Sequence, residues 1–410
     1  MRRLLVALIV LALATPAAGM DSILTARAGG MVGGGLTRYF QLSGAYTAQA
    51  TDLYGYTWIS AAGTLQSFKF LLSAAPTPGT ADFTIYKNGV SQITFTASGS
   101  TVAYEPSGSF TVAAGDYVHV GCVGSATVTA SDALYYCTFT GSSSNQALIT
   151  GGSLSGTTNT TANRYGPCMG GSSGLVATVD DVRQVVPTGG TISHLYTALN
   201  SSITGSYTVR LYVNGSASAL TVDIAGTTPV GDTTHSVSVS AGDLIAIEIV
   251  PNSPSATRRL QWGMRWNPTT DGEGLLLAGS GDALNATQTE YNWLNNSQGS
   301  WTTGESTRQL YWPAVQLSDL FVALTAVPNT GNNYAFTLRD DAADTSLTCT
   351  ISDSATTGSD TSHTVTPAAG SLIDLQVVPT STPDAADAYW GMVAYIAPPA
   401  GTTKRVLVIE

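Results

Sequence analysis

From Ser206 to Gly215 the chain reads SYTVRLYVNG, apolar and polar residues alternating until an Asn-Gly pair ends the run. A period of two marks a strand with one buried face, and Asn-Gly is the strongest short signal for a hairpin turn. A second alternating run, Leu220 to Ile224, follows the turn and leads into a loop rich in Gly, Thr and Asp. The next strand opens at His235, and the tight turn Ala241-Gly242-Asp243 closes it. Beyond the turn Leu244, Ala246, Glu248 and Val250 face one way and Ile245, Ile247 and Ile249 the other. Apart from the extreme N-terminus, no stretch of twelve residues carries an apolar period of 3.6, so the expectation is all-β.

The same landmarks recur. Tyr39, Tyr165 and Tyr291 form one column, Asn88, Asn214 and Asp340 a second, and Gly115, Gly242 and Gly370 a third, at intervals of about 126 residues. His235 to Pro251 is echoed by His363 to Pro379, and both stretches lead to Trp-Gly-Met, at Trp262 to Met264 and Trp390 to Met392. Solenoid and propeller repeats run to roughly 20–50 residues, so a unit this long is a whole domain. Short strands at regular spacing predict an antiparallel sandwich. About eight strands per unit favours a jelly roll, with an immunoglobulin-like sandwich as the alternative. The expected plan is three tandem antiparallel β-sandwich (jelly-roll) domains at 27–146, 147–270 and 271–398. A leader at 1–19 and an extension at 20–26 precede them, and a strand-like tail at 399–410 follows.

The strand–Asn-Gly–strand unit at Tyr207 to Ile224 and the strand–Ala-Gly-Asp–strand unit at His235 to Val250 resemble jelly-roll modules of the tumour-necrosis-factor and complement-head type. Such modules also occur in collagen-like surface proteins and in phage or viral fibre and decoration proteins. The resemblance implies display or assembly and supplies no active site to carry over.

Composition narrows the partners. Only 10% of residues are charged, against roughly 25% in an ordinary soluble domain, and Lys69, Lys87 and Lys404 are the only lysines. A formal charge of −11 argues against nucleic acid, which needs clustered Lys and Arg. Arg2-Arg3, the apolar run Leu4 to Ala14 and Ala17-Ala18-Gly19 read as a secretory signal cleaved after Gly19. The rival reading is a retained hydrophobic arm, the one expected route to a membrane. An exported context would permit a disulfide between Cys122 and Cys137, on consecutive strand-like runs. Cys168 and Cys349 read as small buried hydrophobes.

Candidate chemistry is sparse. Gly170 to Gly174 matches the G-x-S-x-G nucleophile pattern in form, but no helix follows it, and the Gly/Ser-rich composition explains it. His235 and His363 occupy equivalent positions, which points to a structural role. No histidines lie at metal-ligand spacing. Asp340, Asp341 and Asp344 read as a solvated turn rather than a calcium loop. No catalytic residue, metal or cofactor is expected. Trp293, Trp301 and Trp312 crowd the start of the third unit among Asn292, Asn295, Asn296, Gln298 and Gln309. Core or interface burial is the favoured reading for them, and a sugar-stacking platform the alternative.

The sequence therefore predicts a non-enzymatic structural or adhesive protein, extracellular, on a cell surface or on a virion as a fibre, tail or decoration component. Its expected partners are copies of itself, other particle or surface proteins, and in the alternative reading glycans bound by an array of modules. Val406, Leu407, Val408 and Ile409 form an apolar strand that needs an edge to pair with, an assembly strand if that edge lies in another chain. The short linkers allow a compact pseudo-trimer or an extended rod, and the rod is the slightly favoured expectation.

Overall fold

The computed structural model describes residues 21–51, 55–143, 145–153, 157–172, 174–296 and 299–396. Both the leader at 1–19 and the tail strand Val406 to Ile409 lie outside them. The described chain is all-β: six sheets and two short 3-10 turns, Val179–Asp181 and Glu305–Thr307. Residues 21–141 supply the first two sheets. One runs Gly44–Thr47, Asp21–Val32, Ser131–Gly141, Gly63–Leu72, Ala103–Tyr104, with Phe110–Val112 also on Gly63–Leu72. The other runs Thr37–Phe40, Tyr117–Gly124, Thr80–Lys87, Val90–Ser98, with Thr57–Trp58 also on Tyr117–Gly124. Most neighbours are antiparallel; Asp21–Val32 and Gly44–Thr47 run parallel. The segments 147–268 and 273–395 repeat this order, except that no strand is described in the third at the place of Gly44–Thr47.

Within each segment the alternation that predicted the strands drives two sheets face to face. Leu65, Phe70, Tyr135 and Phe139 of one first-segment sheet meet Phe83, Ile85, Val118 and Val120 of the other in one buried cluster. Ile245, Ile247 and Ile249 point into the second cluster with Trp262, Met264 and Trp266. A third cluster holds Trp312, Phe336, Leu375 and Trp390. The first strand begins at Asp21, paired with Thr140, so the expected boundary at residue 27 falls inside a continuous strand.

The repeat extends to backbone detail. Ser67, His194 and Asp319 take φ of 54°, 55° and 52° beside equivalent register shifts, the same bulge in each segment. Gly115, Gly242 and Gly370 have φ of 90°, 90° and 93° at the same tight turn. One column needs correction. The partner of Asn88 and Asn214 is Asp341, not Asp340: these three share φ of 51°, 48° and 48°. Their side-chain oxygens accept equivalent backbone N–H groups, from Tyr117, Leu244 and Leu372. Asn and Asp tolerate left-handed backbone better than other L-residues. Asn214→Ala is thus expected to cost about 1–2 kcal/mol in urea unfolding, and Asn214→Gly clearly less.

The three segments touch in a cycle. Trp58 sets its carbonyl oxygen against Gly263, where a Cβ would lie 2.2 Å from that oxygen. Val185 does the same to Gly391, at 2.1 Å. Tyr311 closes the cycle on the first segment: its ring lies 5.2 Å from that of Tyr136, and its carbonyl accepts Thr25 Oγ1 at 3.1 Å. Trp58, Val185 and Tyr311 are equivalent, paired with Tyr117, Leu244 and Leu372, each of which stands second after the glycine of the turn. Near the centre a Cβ on Gly44 would meet Gly171 N at 2.5 Å, and one on Gly170 would meet Asn295 O at 2.4 Å. Asn296 Nδ2 then donates to Ala45 O at 2.7 Å. Arg27 to Ser306 O (2.8 Å), Gln184 Nε2 to Leu277 O (2.9 Å) and Tyr389 OH to Asp180 O (2.6 Å) add polar ties. Three head-to-tail contacts thus close into a ring rather than continuing as a rod, which corrects the extended expectation. At two of the three boundaries the reason is local: Gly263 and Gly391 let one backbone reach the next.

Candidate functional site

The tryptophans of the third segment do not form a platform. Trp301 is 5% exposed and Trp312 fully buried, both in the core. Trp312 donates its Nε1–H to Val315 O at 3.1 Å. Trp293 is half-buried against that core, with the Arg308 guanidinium 4.1 Å above its ring. A cation already covers the face that a sugar would need. The favoured burial reading describes Trp301 and Trp312, and the sugar-platform reading of the three is withdrawn.

Cys122 and Cys137 do not lie on a hairpin. Tyr117–Gly124 and Ser131–Gly141 belong to opposite sheets, and both thiols are free and buried. Cys168 and Cys349 are likewise buried and free. Burial, with the Asp82 charge adding to it, pushes the Cys122 thiol up to about 12; burial and the Asp360 charge do the same for Cys349. Burial also raises Cys137 and Cys168, so none of the four is poised as a thiolate.

Gly170 and Gly171 of the nucleophile-like pattern lie on a strand pressed against Gly44 and Asn295. Ser172, the serine of the pattern, ends that strand, and Ser173 lies outside the described residues. His235 and His363 each set Nδ1 2.9 Å from a carboxylate three residues earlier, Asp232 and Asp360. Burial alone would raise those two carboxyls. Hydrogen bonds from Thr221, His235 and Thr234 to Asp232, and from Thr348, Ser362 and His363 to Asp360, hold both well below the usual range. Each is a fastening between neighbouring strands. Asp341 caps its turn and Asp344 pairs with Arg339. Among the described residues no three His, Cys, Asp or Glu gather closely enough to hold a metal ion.

The segments differ most on the outer face of the second sheet. In the second segment Glu248 accepts Arg210 Nε at 2.7 Å, Asn163 Nδ2 at 2.9 Å and Tyr165 OH at 3.2 Å. In the third, Arg339 pairs with Glu305 at 2.9 Å beside buried Asp374. The first segment carries rings instead. Tyr86 stacks on His119 at 4.9 Å, Tyr56 lies 5.2 Å from His119, and Tyr39 meets His119 edge-on at 5.7 Å. Tyr56 also stacks on Tyr117 at 4.0 Å, and Trp58 meets Tyr117 edge-on at 5.4 Å.

Tyr56, Trp58 and Tyr117 carry this aromatic face into a cleft of about 450 Å³ between the first and second segments. Asn88 and Gly115 complete one wall; Ala198, Leu199, Asn200, Pro229 and Gln261 lie opposite. The equivalent cleft between the second and third segments has Val185 and Asp243 where the first has Trp58 and Asp116 nearby, with Phe321 across from them. At the third boundary Tyr136, Tyr311, Leu71, Leu134 and Leu372 pack together. One interface in three therefore combines an open cleft with an aromatic wall and amide side chains. Sequence reading passed it over because Tyr56 and Trp58 lie far in sequence from Tyr117 and from the second-segment wall, whereas the third-segment tryptophans share one stretch. No protein-family model matches this chain, and no curated protein matches it.

Proposed function

We propose that this chain is a non-enzymatic structural or adhesive protein of three tandem jelly-roll modules, exported or displayed on a virion. In the first segment Asp21–Val32, Ser131–Gly141, Gly63–Leu72 and Ala103–Tyr104 are neighbours in one sheet and Thr37–Phe40, Tyr117–Gly124, Thr80–Lys87 and Val90–Ser98 in the other, and the other segments follow, an order that favours a jelly roll over an immunoglobulin-like sandwich. The observation that carries the functional reading is the closed ring: its repeated positions serve strand fastening and inter-module contact. Its partners are further copies of itself or other proteins of the surface that bears it. Those partners meet its outer faces, because the three inter-module contacts are already taken up within the chain.

Fractionation of the native source tests this. The expected result is recovery in the medium, envelope or particle fraction. Light scattering after gel filtration should then give one chain, or whole multiples of it, as the unit of assembly. Recovery in the cytosol alone, or turnover of a polysaccharide by the purified protein, would overturn the reading.

A further inference from the structure

We propose that the cleft between the first and second segments is a binding site for a neutral saccharide, one sugar ring lying against the aromatic wall that Tyr56, Trp58 and Tyr117 form. The inference rests on the adhesive reading and gives it a ligand class. None of the residues lining the cleft is charged. A charged ligand would therefore lose water without gaining a counter-charge, which is costly. The volume of about 450 Å³ falls within the roughly 300–1,000 Å³ of small-molecule sites.

Two buried donors sharpen the assignment. Trp58 and Gln261 are each 2% exposed and both line the cleft. Trp58 Nε1 and Gln261 Nε2 have no hydrogen-bond partner among the described residues. A buried donor without an acceptor costs about 1–3 kcal/mol, so such groups mark places where a partner is missing. Sugar hydroxyl oxygens are acceptors of the right kind. The apolar C–H face of a pyranose suits the tyrosine rings, and Asn200 also lines the cleft.

Divergence within the repeat points the same way. Trp58, Val185 and Tyr311 occupy one structural position. Tyr311 is packed into an aromatic and leucine cluster, and Val185 offers no donor side chain. Of these three positions, only Trp58 brings a ring and an unpartnered indole N–H to an open cleft. A position that served ring closure alone would not need this difference.

The test uses the full chain on an array of neutral and charged oligosaccharides, then titration calorimetry with the best-bound neutral disaccharide. Tyr117→Ala is expected to weaken binding about tenfold or more through loss of ring stacking. Trp58→Phe, which keeps the packing and removes the indole N–H, should weaken it several-fold with an unchanged far-UV spectrum. Phe321→Ala, in the second–third cleft, should bind as wild type. Binding only to charged glycans, no binding to any neutral glycan, or binding unaltered by both cleft variants would overturn the site. So would a crystal soaked in the disaccharide with only water on Trp58 Nε1 and Gln261 Nε2. Such failures leave the adhesive reading to its fractionation result. Hydrolysis of a bound neutral saccharide would instead keep the site and remove the non-enzymatic reading.

Discussion

Gly391→Val is expected to lower stability by about 3 kcal/mol and to loosen the boundary between the second and third segments. Its Cβ would lie 2.1 Å from Val185 O and 3.1 Å from Pro187 Cδ. Neither obstacle is a flexible side-chain tip, so the two segments must move apart. Gly263→Val should behave alike at the first–second boundary, where the obstacle is Trp58 O at 2.2 Å. Gly274→Ala is the control, because its nearest neighbour would be Ala394 O at an ordinary 3.4 Å. Thermal unfolding and small-angle scattering together read the outcome: a lower midpoint with a larger radius. A valine variant with the wild-type midpoint would mean that these approaches do not hold the ring.

The second large effect is a fall in stability between about pH 4 and pH 8, caused by Asp374. Its side chain is fully buried, and neither carboxyl oxygen has a hydrogen-bond partner among the described residues. Burial raises the carboxyl to about 8; the Glu305 charge adds to the rise and the Arg339 guanidinium opposes it. An unfolded aspartate titrates near pH 3.9. Below that pH both states hold the proton and the group contributes nothing. Between the two values only the folded state holds it, so stability falls by up to about 1.4 kcal/mol per pH unit. Above pH 8 the cost is fully present. Asp232 and Asp360, held low by their hydrogen bonds, act in the opposite sense and at acidic pH, outside this window. Ala246 occupies the equivalent position in the second segment, which makes Asp374→Ala a conservative test. Urea unfolding at pH 5 and pH 8.5 should show a strong decline for wild type and a much flatter line for the variant. Parallel lines would dismiss Asp374 as the cause.

Much of the sheet architecture was legible because alternation is written locally. Ile245, Ile247 and Ile249 face the core as their period requires, and Asn88-Gly89 and Asn214-Gly215 turn where the hairpin signal stands. Asp341 was placed one residue early because the third segment replaces Asn-Gly with consecutive aspartates, and only backbone φ tells which one turns. The cysteines misled because consecutive strands of a sandwich often lie in opposite sheets. Ring closure was hidden for a different reason. Its contacts join residues far apart in sequence, and the positions that permit them, Gly263 and Gly391, read as ordinary strand residues beside Trp262 and Trp390. The cleft was hidden likewise, since its two walls come from different segments.

Closure within one polypeptide changes what dilution can do. A ring of three separate chains falls apart as concentration drops, and its melting point drifts with concentration. Here every boundary forms between tethered partners, at an effective concentration fixed by short connections such as the one that Thr188 ties to Glu273 at 2.6 Å. The ring is therefore as complete in a single isolated molecule as in a concentrated solution. A change such as one at Gly391 also enters the molecule once, where a three-chain ring would carry it three times around its axis. Each boundary is consequently free to acquire its own chemistry while the other two keep the body closed.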